Sequence, residues 1–247
     1  MARRQRWDAW RWSSRSSRGD RMNIFDIIGP VMIGPSSSHT AGATRIGYVA
    51  RKILAQEPVR AQIGLAGSFA QTYRGHGTDR ALIAGILGMK PDDERLPDSL
   101  QIAREKGMEY SLFPVELPKA HPNTAVVHLW AADGTAAEIE GASVGGGNIL
   151  ITRLNGMESA FTGQCDTLII PHQDTCGVIA SVTQTLADAQ VNIGNFKLSR
   201  PQKGQQAIMT IEVDGDVERD VIRRLRELPN VTNVVYLRAY DEGGAGC

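Results

Sequence analysis

The 247-residue chain lacks any apolar run of the roughly 18 residues that a membrane-spanning helix requires; its richest stretch, Ala81 to Met89, is far too short. It also lacks an excess of either charge, with 27 Lys+Arg against 27 Asp+Glu, so no global field draws it to nucleic acid or to a membrane surface. Cysteine is scarce. Cys165, Cys176 and Cys247 form no Cys-x-x-Cys pair and leave an odd count, which argues against a disulfide framework and suits a reducing, cytoplasmic setting. Falling in a connector, a turn and a tail, they have no ligand-like spacing, and no metal site is expected within this chain. The first 21 residues carry seven Arg, three Trp and four Ser but no aliphatic run, so they lack the apolar centre of a secretory signal. They are expected to be a disordered extension ahead of Met22.

What is present divides into two regions. From Met22 to Leu154 helical and strand patterns mix, an α+β reading. Ile46, Val49, Ala50, Ile53 and Leu54 recur at three- and four-residue spacing, which predicts an amphipathic helix. Further helices are expected over Asp79 to Leu87 and Leu96 to Lys106. Strands are expected at Gln62–Ala66, Tyr110–Phe113, Ala125–Trp130, Ala136–Ile139 and Ile149–Leu154, with Asp133-Gly134 as a hairpin turn. Residues 155–166 are polar and small and read as a connector, and 241–247 as a tail.

Residues 167–240 read as βαββαβ, the ferredoxin-like order. Ile179, Val182 and Leu186 stripe its first helix, and Val217, Val221, Ile222, Leu225 and Leu228 its second. Phe196 stands alone on its strand, so the module lacks the aromatic pattern that stacks RNA bases.

Three motifs carry candidate chemistry. Ser36-Ser37-Ser38-His39-Thr40 precedes the first helix, where unpaired backbone N–H groups and hydroxyls can hold a carboxylate and His39 can move a proton. The plain alternative is that Ser38 or Thr40 only caps the helix. Gly75-His76-Gly77-Thr78-Asp79 puts an imidazole between two glycines, with Thr78 or Asp79 as a possible cap. In His121-Pro122-Asn123-Thr124, Pro122 keeps the chain extended and Asn123 offers donors and an acceptor. Ser143 to Asn148, with Gly145-Gly146-Gly147, reads equally as an anion cradle, a hairpin or a hinge.

With Phe25-Asp26-Ile27-Ile28-Gly29-Pro30-Val31-Met32 and Gly67-Ser68-Phe69-Ala70, these motifs occur in one order over about Phe25 to Tyr240. In that order they resemble the beta chain of the two-subunit, iron–sulfur-dependent bacterial L-serine dehydratase. The resemblance implies an α+β serine-dehydratase beta domain and conversion of L-serine to pyruvate and ammonia. It further implies a 4Fe-4S cluster ligated by a partner alpha chain, so this chain alone would be inactive. It makes His76 the leading candidate base, with Ser38, His39 and Thr40 gripping the carboxylate and His121 and Asn123 orienting substrate. Ser36, Ser37, Thr78, Asp79 and Gly146 complete the expected substrate contacts.

His172-Gln173-Asp174-Thr175-Cys176-Gly177 and Val191-Asn192-Ile193 make the second region resemble an ACT domain. That resemblance implies an effector pocket at His172, Asp174, Gly177 and Asn192, formed against a second copy, with Cys176 replacing a common proline. A non-catalytic serine-sensing module is the competing reading, because the first region also resembles the substrate-sensing domain beside some ACT domains.

Overall fold

A computed structural model describes residues 32–239. The expected extension, residues 25–31 of the first resemblance segment, and the tail with Cys247 lie outside the described residues.

The first described element is a π-helical turn, Ser37–Gly42, which runs directly into α1 (Ala43–Leu54). Next come β1 (Pro58–Leu65), α2 (Gly67–His76), α3 (Thr78–Ile86), a 3-10 turn (Leu96–Asp98) and α4 (Ser99–Glu105). Five strands follow: β2 (Glu109–Pro114), β3 (Thr124–Ala131), β4 (Ala136–Gly145), β5 (Asn148–Leu154) and β6 (Met157–Phe161). The second region is β7 (Asp166–Gln173), α5 (Val178–Asp188), β8 (Ile193–Ser199), β9 (Gln206–Val213), α6 (Arg219–Glu227) and β10 (Val235–Leu237).

Strands of the first region form one sheet in the order β2-β1-β3-β4-β5-β6. Only β1 and β2 pair in parallel, as the intervening helices require, and the remaining neighbours are antiparallel. On β3, Ala125, Val127, Leu129 and Ala131 are buried while Val126, His128 and Trp130 are half-exposed. This two-residue alternation places one face of the sheet under the helices. α1 and α3 cross where Gly47 and Gly85 let the backbones meet: a Cβ on Gly85 would lie 2.0 Å from the Thr44 carbonyl oxygen.

The connector expected over 155–166 is corrected. Asn155 and Gly156 have φ of +46° and +76° and Leu154 pairs with Met157, so they form the two-residue turn that adds β6 to the sheet. Only residues 162–165 link the two regions. Ser143–Asn148 takes its hairpin reading, with Gly145 paired to Asn148 and both Gly146 and Gly147 at positive φ.

The second sheet, β10-β7-β9-β8, is antiparallel throughout and has the expected ferredoxin-like order. Its helices cover Leu168, Ile170, Met209 and Ile211. Alternate residues Ile169, Ile208 and Leu237 point the other way into the first region's core, so both regions share packing. Ser159 and Thr210 hydroxyls meet at 3.1 Å across this junction. Buried Glu212 accepts from the Thr162 N–H and from Asn195 Nδ2.

Two expectations shift in detail. Val178, Val182 and Leu186, spaced four apart, make the buried stripe of α5, which leaves Ile179 40% exposed beside it. The last strand is shorter than its apolar pattern because Thr232 and Asn233 turn their N–H groups to the Pro171 carbonyl. Cys176 is a free, exposed thiol. Among the described residues no helix is long and apolar enough to cross a membrane.

Candidate functional site

The site is built at the head of α1. Ser36, in extended conformation, caps the π turn: its Oγ accepts from the His39 N–H at 3.2 Å and its carbonyl from the Thr40 N–H at 2.8 Å. The cap is therefore Ser36, not Ser38 or Thr40 as the sequence suggested, because an Ncap side chain reaches the third N–H beyond it. The turn leaves His39 half-buried, with its Nδ1 3.4 Å from Ser36 Oγ and its Nε2 3.3 Å from Ser68 Oγ. A hydroxyl can donate or accept, so both ring nitrogens of a neutral imidazole are satisfied.

Ser68 comes from the first turn of α2, which starts at Gly67 with φ +51°. A Cβ there would lie 2.7 Å from the Pro122 carbonyl oxygen, so only glycine lets this helix begin against residues 121–123. The same helix ends with His76, and the left-handed Gly77 separates it from α3. His76 thus terminates one helix rather than standing in a loop before another. No side chain caps α3, although Asp79 Oδ1 accepts from the Arg80 N–H.

This chain path brings His39 and His76 together, with ring centroids 4.7 Å apart and edge to face. Phe69 closes the other side of His39 at 5.3 Å. Burial, and then the neighbouring His76, holds the His39 pKa below its usual 6.5, which favours the neutral ring. His76 itself is exposed and has no side-chain hydrogen bond among the described residues.

Several buried polar atoms of the first region lack partners. Thr40 Oγ1, Thr78 Oγ1, Asn123 Oδ1 and Ser143 Oγ have none among the described residues. Such orphans are rare in folded chains and call for a ligand or water. Gly42 is what admits Ser143, whose Oγ lies 2.1 Å from where a Cβ on Gly42 would be, and the Ser143 N–H donates to the Asn123 carbonyl. Behind the turn, Arg45 donates to the Gly147 carbonyl at 2.9 Å. Ser68, Phe69 and Ser143 are the site residues that sequence reasoning left without a role. Ser68 stood inside a quoted motif, but nothing local marked its contact with a histidine 29 positions away.

Other expected residues lie elsewhere. His121 is exposed, its Nδ1 accepts from the Asn123 N–H, and it lines a separate cavity over β4 and β5 with Thr124, Glu140 and Thr152. No ring contact or hydrogen bond joins it to His39 or His76 among the described residues. Gly146 is exposed at its hairpin tip. In the second region His172 is buried against the Ile170 carbonyl, and Asn192 donates to Asp214. Asp174 accepts from Arg200 and from the Gly204 N–H, and these contacts, the backbone one foremost, hold its carboxyl below the usual range. Gly177 is the left-handed residue that starts α5. The described residues contain no group of three or more His, Cys, Asp or Glu that could hold a metal ion, so they do not fit an iron–sulfur cluster.

The first region is thus an α+β layer carrying a hydroxyl-held histidine beside a second histidine, joined to a four-stranded ferredoxin-like sheet. A family profile described as serine dehydratase beta chain matches residues 23–113, and one described as an AHAS small subunit-like ACT domain matches residues 168–233. A probable L-serine dehydratase beta chain of Bacillus subtilis (strain 168) is 45% identical over 212 residues, covering 86% of this chain and 96% of the relative. The L-serine dehydratase beta chain of Peptoniphilus asaccharolyticus is 34% identical over 216 residues, with 87% and 97% covered. The chain belongs to the L-serine dehydratase beta-chain family. A D-3-phosphoglycerate dehydrogenase of Bacillus subtilis (strain 168) is more distant, 26% identical over 196 residues, which is 78% of this chain and 36% of that enzyme.

Proposed function

We propose that this chain is the beta subunit of a two-subunit L-serine dehydratase, an L-serine ammonia-lyase of the cytoplasm, and that His76 takes the α-proton of bound L-serine. The observation that carries the reading is the contact of His39 with His76, one ring held at both nitrogens and the other uncommitted. A base must have a free lone pair at the reacting carbon, and His76 is the member of the pair with one to spare. His39, kept neutral by burial, orients the serine carboxylate with Ser38, Thr40 and the N–H groups of the π turn. Thr78, Asn123 and Ser143 supply the remaining polar contacts, and His121 reaches the substrate only by turning its ring away from the Asn123 N–H.

The site opens at the surface, since His76 is exposed and Ser36 to Ser38 are half-buried. This favours a pocket closed by another polypeptide, the alpha chain, to which the reading leaves the 4Fe-4S cluster. The chain by itself is then inactive. For the ACT domain, Asp174 and Asn192 already spend their side chains on Arg200, Gly204 and Asp214, which favours pairing with a second copy over effector capture.

The test is His76→Asn in the assembled enzyme. Turnover should fall by about 10² to 10⁴, the usual worth of a positioned base. Exchange of the serine α-hydrogen with solvent deuterium should be lost in parallel, with serine affinity and the visible absorption of the assembly retained. Near-normal turnover and exchange would reject the assignment. The serine-sensing alternative, which similarity to part of a phosphoglycerate dehydrogenase favours, requires serine binding by the chain alone and no effect of His76→Asn on any turnover.

A further inference from the structure

Two lysines without an ion-pair partner among the described residues, Lys52 and Lys90, line a cavity at the junction of the two regions. About 570 Å³ in volume, this cavity lies between α1, which contributes Tyr48 and Lys52, the segment after α3, which contributes Lys90, and the exit of β10, which contributes Tyr236 and Arg238. That volume falls within the range of roughly 300 to 1,000 Å³ in which small ligands are held.

Its charges are unequally occupied. Asp216 accepts from the Tyr236 hydroxyl at 2.7 Å and from Arg238 at 2.9 Å. The Tyr236 oxygen also lies against Asp166, but its single proton serves one carboxylate at a time, and Asp166 accepts from the Ala239 N–H at 2.7 Å. Each carboxylate has at least one donor within the fold. Lys52 and Lys90 are exposed and form no ion pair with a described residue. The Lys52 ammonium rests 5.1 Å from the centre of the Tyr48 ring, which keeps it beside the cavity. What the two lysines add to this lining is donors without a described acceptor, because an ammonium has three N–H groups and no lone pair.

We propose that this junction cavity is a second ligand site, separate from the histidine pair, for a small dianion carrying carboxylate or phosphate groups held by Lys52 and Lys90. Such an occupant would lie between α1 and the exit of β10. α1 is the helix whose first residue follows the turn bearing His39. The site requires neither the alpha chain nor serine turnover, so its test is independent of the catalytic reading.

Isothermal titration of the full chain with inorganic phosphate and, separately, with malonate, at constant ionic strength, tests it. Saturable one-to-one binding of at least one probe is expected. Phosphate alone would assign a phosphorylated ligand, malonate alone a dicarboxylate, and both the shared dianion. Lys52→Gln with Lys90→Gln should weaken the dissociation constant by about tenfold or more, the worth of losing charge-assisted hydrogen bonds. Both positions are exposed, so the melting temperature of this variant should be that of the parent. If it is not, each single substitution is titrated in its place. Lys203→Ala, on the turn between β8 and β9, should leave binding unchanged. Absence of saturable binding by either probe, equal affinity in the Lys52/Lys90 variants, or equal loss in Lys203→Ala would overturn the proposal.

Discussion

Gly85→Ala places a methyl group where the fold has no room for one. The added Cβ would lie 2.0 Å from the Thr44 carbonyl oxygen and 2.6 Å from the Tyr48 nitrogen, both main-chain atoms of α1. No side chain can swing aside. The crossing must open until the closest approach rises from 2.0 Å to at least the 3.4 Å of ordinary contact. Overpacking of a tight core costs about 1–3 kcal/mol and more when backbone must move. Here the upper end applies, since Ile46, Val49, Leu82 and Ile86 of the two helices lose contact together. Alanine returns about 1 kcal/mol through helix propensity, leaving a net loss of about 2 kcal/mol or more.

Gly75→Ala is the internal control. It sits in α2 with nothing within 4 Å of the new methyl, so the same propensity gain acts unopposed and stability should rise by up to about 1 kcal/mol. Urea unfolding followed by circular dichroism, with an unchanged slope in both variants, checks the pair. A Gly85→Ala protein as stable as the parent would refute the argument that main-chain contact sets the α1–α3 distance.

Three further outcomes follow from the geometry. Ser68→Ala frees His39 Nε2 and should lower kcat/KM for serine in the assembled enzyme by about tenfold and shift its acid limb, with Ser68→Thr restoring both; unchanged kinetics would remove Ser68 from the site. Glu212→Ala leaves the Thr162 N–H and Asn195 amide at the junction without their acceptor and should cost about 2–3 kcal/mol by chemical denaturation, and a loss under about 0.5 kcal/mol would contradict it. Because the folded chain lowers the His39 pKa, it binds that proton less readily than the unfolded chain: stability is unaffected well above 6.5 and is lost as pH falls through 6.5 toward the lowered value. The stability difference between parent and His39→Asn should therefore change between about pH 7.5 and pH 5, and a constant difference would exclude a perturbed His39.

Most of the fold was legible because its signals are local. Apolar residues at helical spacing marked α1, α5 and α6, and two-residue alternation with turn signals marked the strands, since burying one face of an element requires those periods. The missed element shows the same logic from the other side. Asn155-Gly156 is as strong a hairpin signal as Asp133-Gly134, yet β6 is only five residues long and its flanks are polar, so composition outweighed the turn. α2 escaped notice for a different reason: glycine at both ends of Gly67–His76 weakens helix propensity, and the helix is held by Phe69 in the core and by the contact of Gly67 with Pro122.

The site was legible as a set of residues but not as an arrangement. Ser36 to Thr40, His76 and Asn123 could be named from chemistry and from a co-ordered resemblance. Which of them touch depends on close approaches that involve glycine and main chain, at Gly42 with Ser143 and Gly67 with Pro122, and such approaches leave no periodic trace. His121 illustrates the cost of ignoring this. Its motif directs the backbone toward α2, where the Pro122 carbonyl accepts from the Phe69 N–H, while its own ring turns to the opposite side of the sheet and binds the Asn123 N–H. A short motif therefore locates a segment of backbone more securely than it aims a side chain. If His121 meets substrate at all, its ring must turn away from that N–H, and the order of effects should be His76 first, His39 second and His121 last.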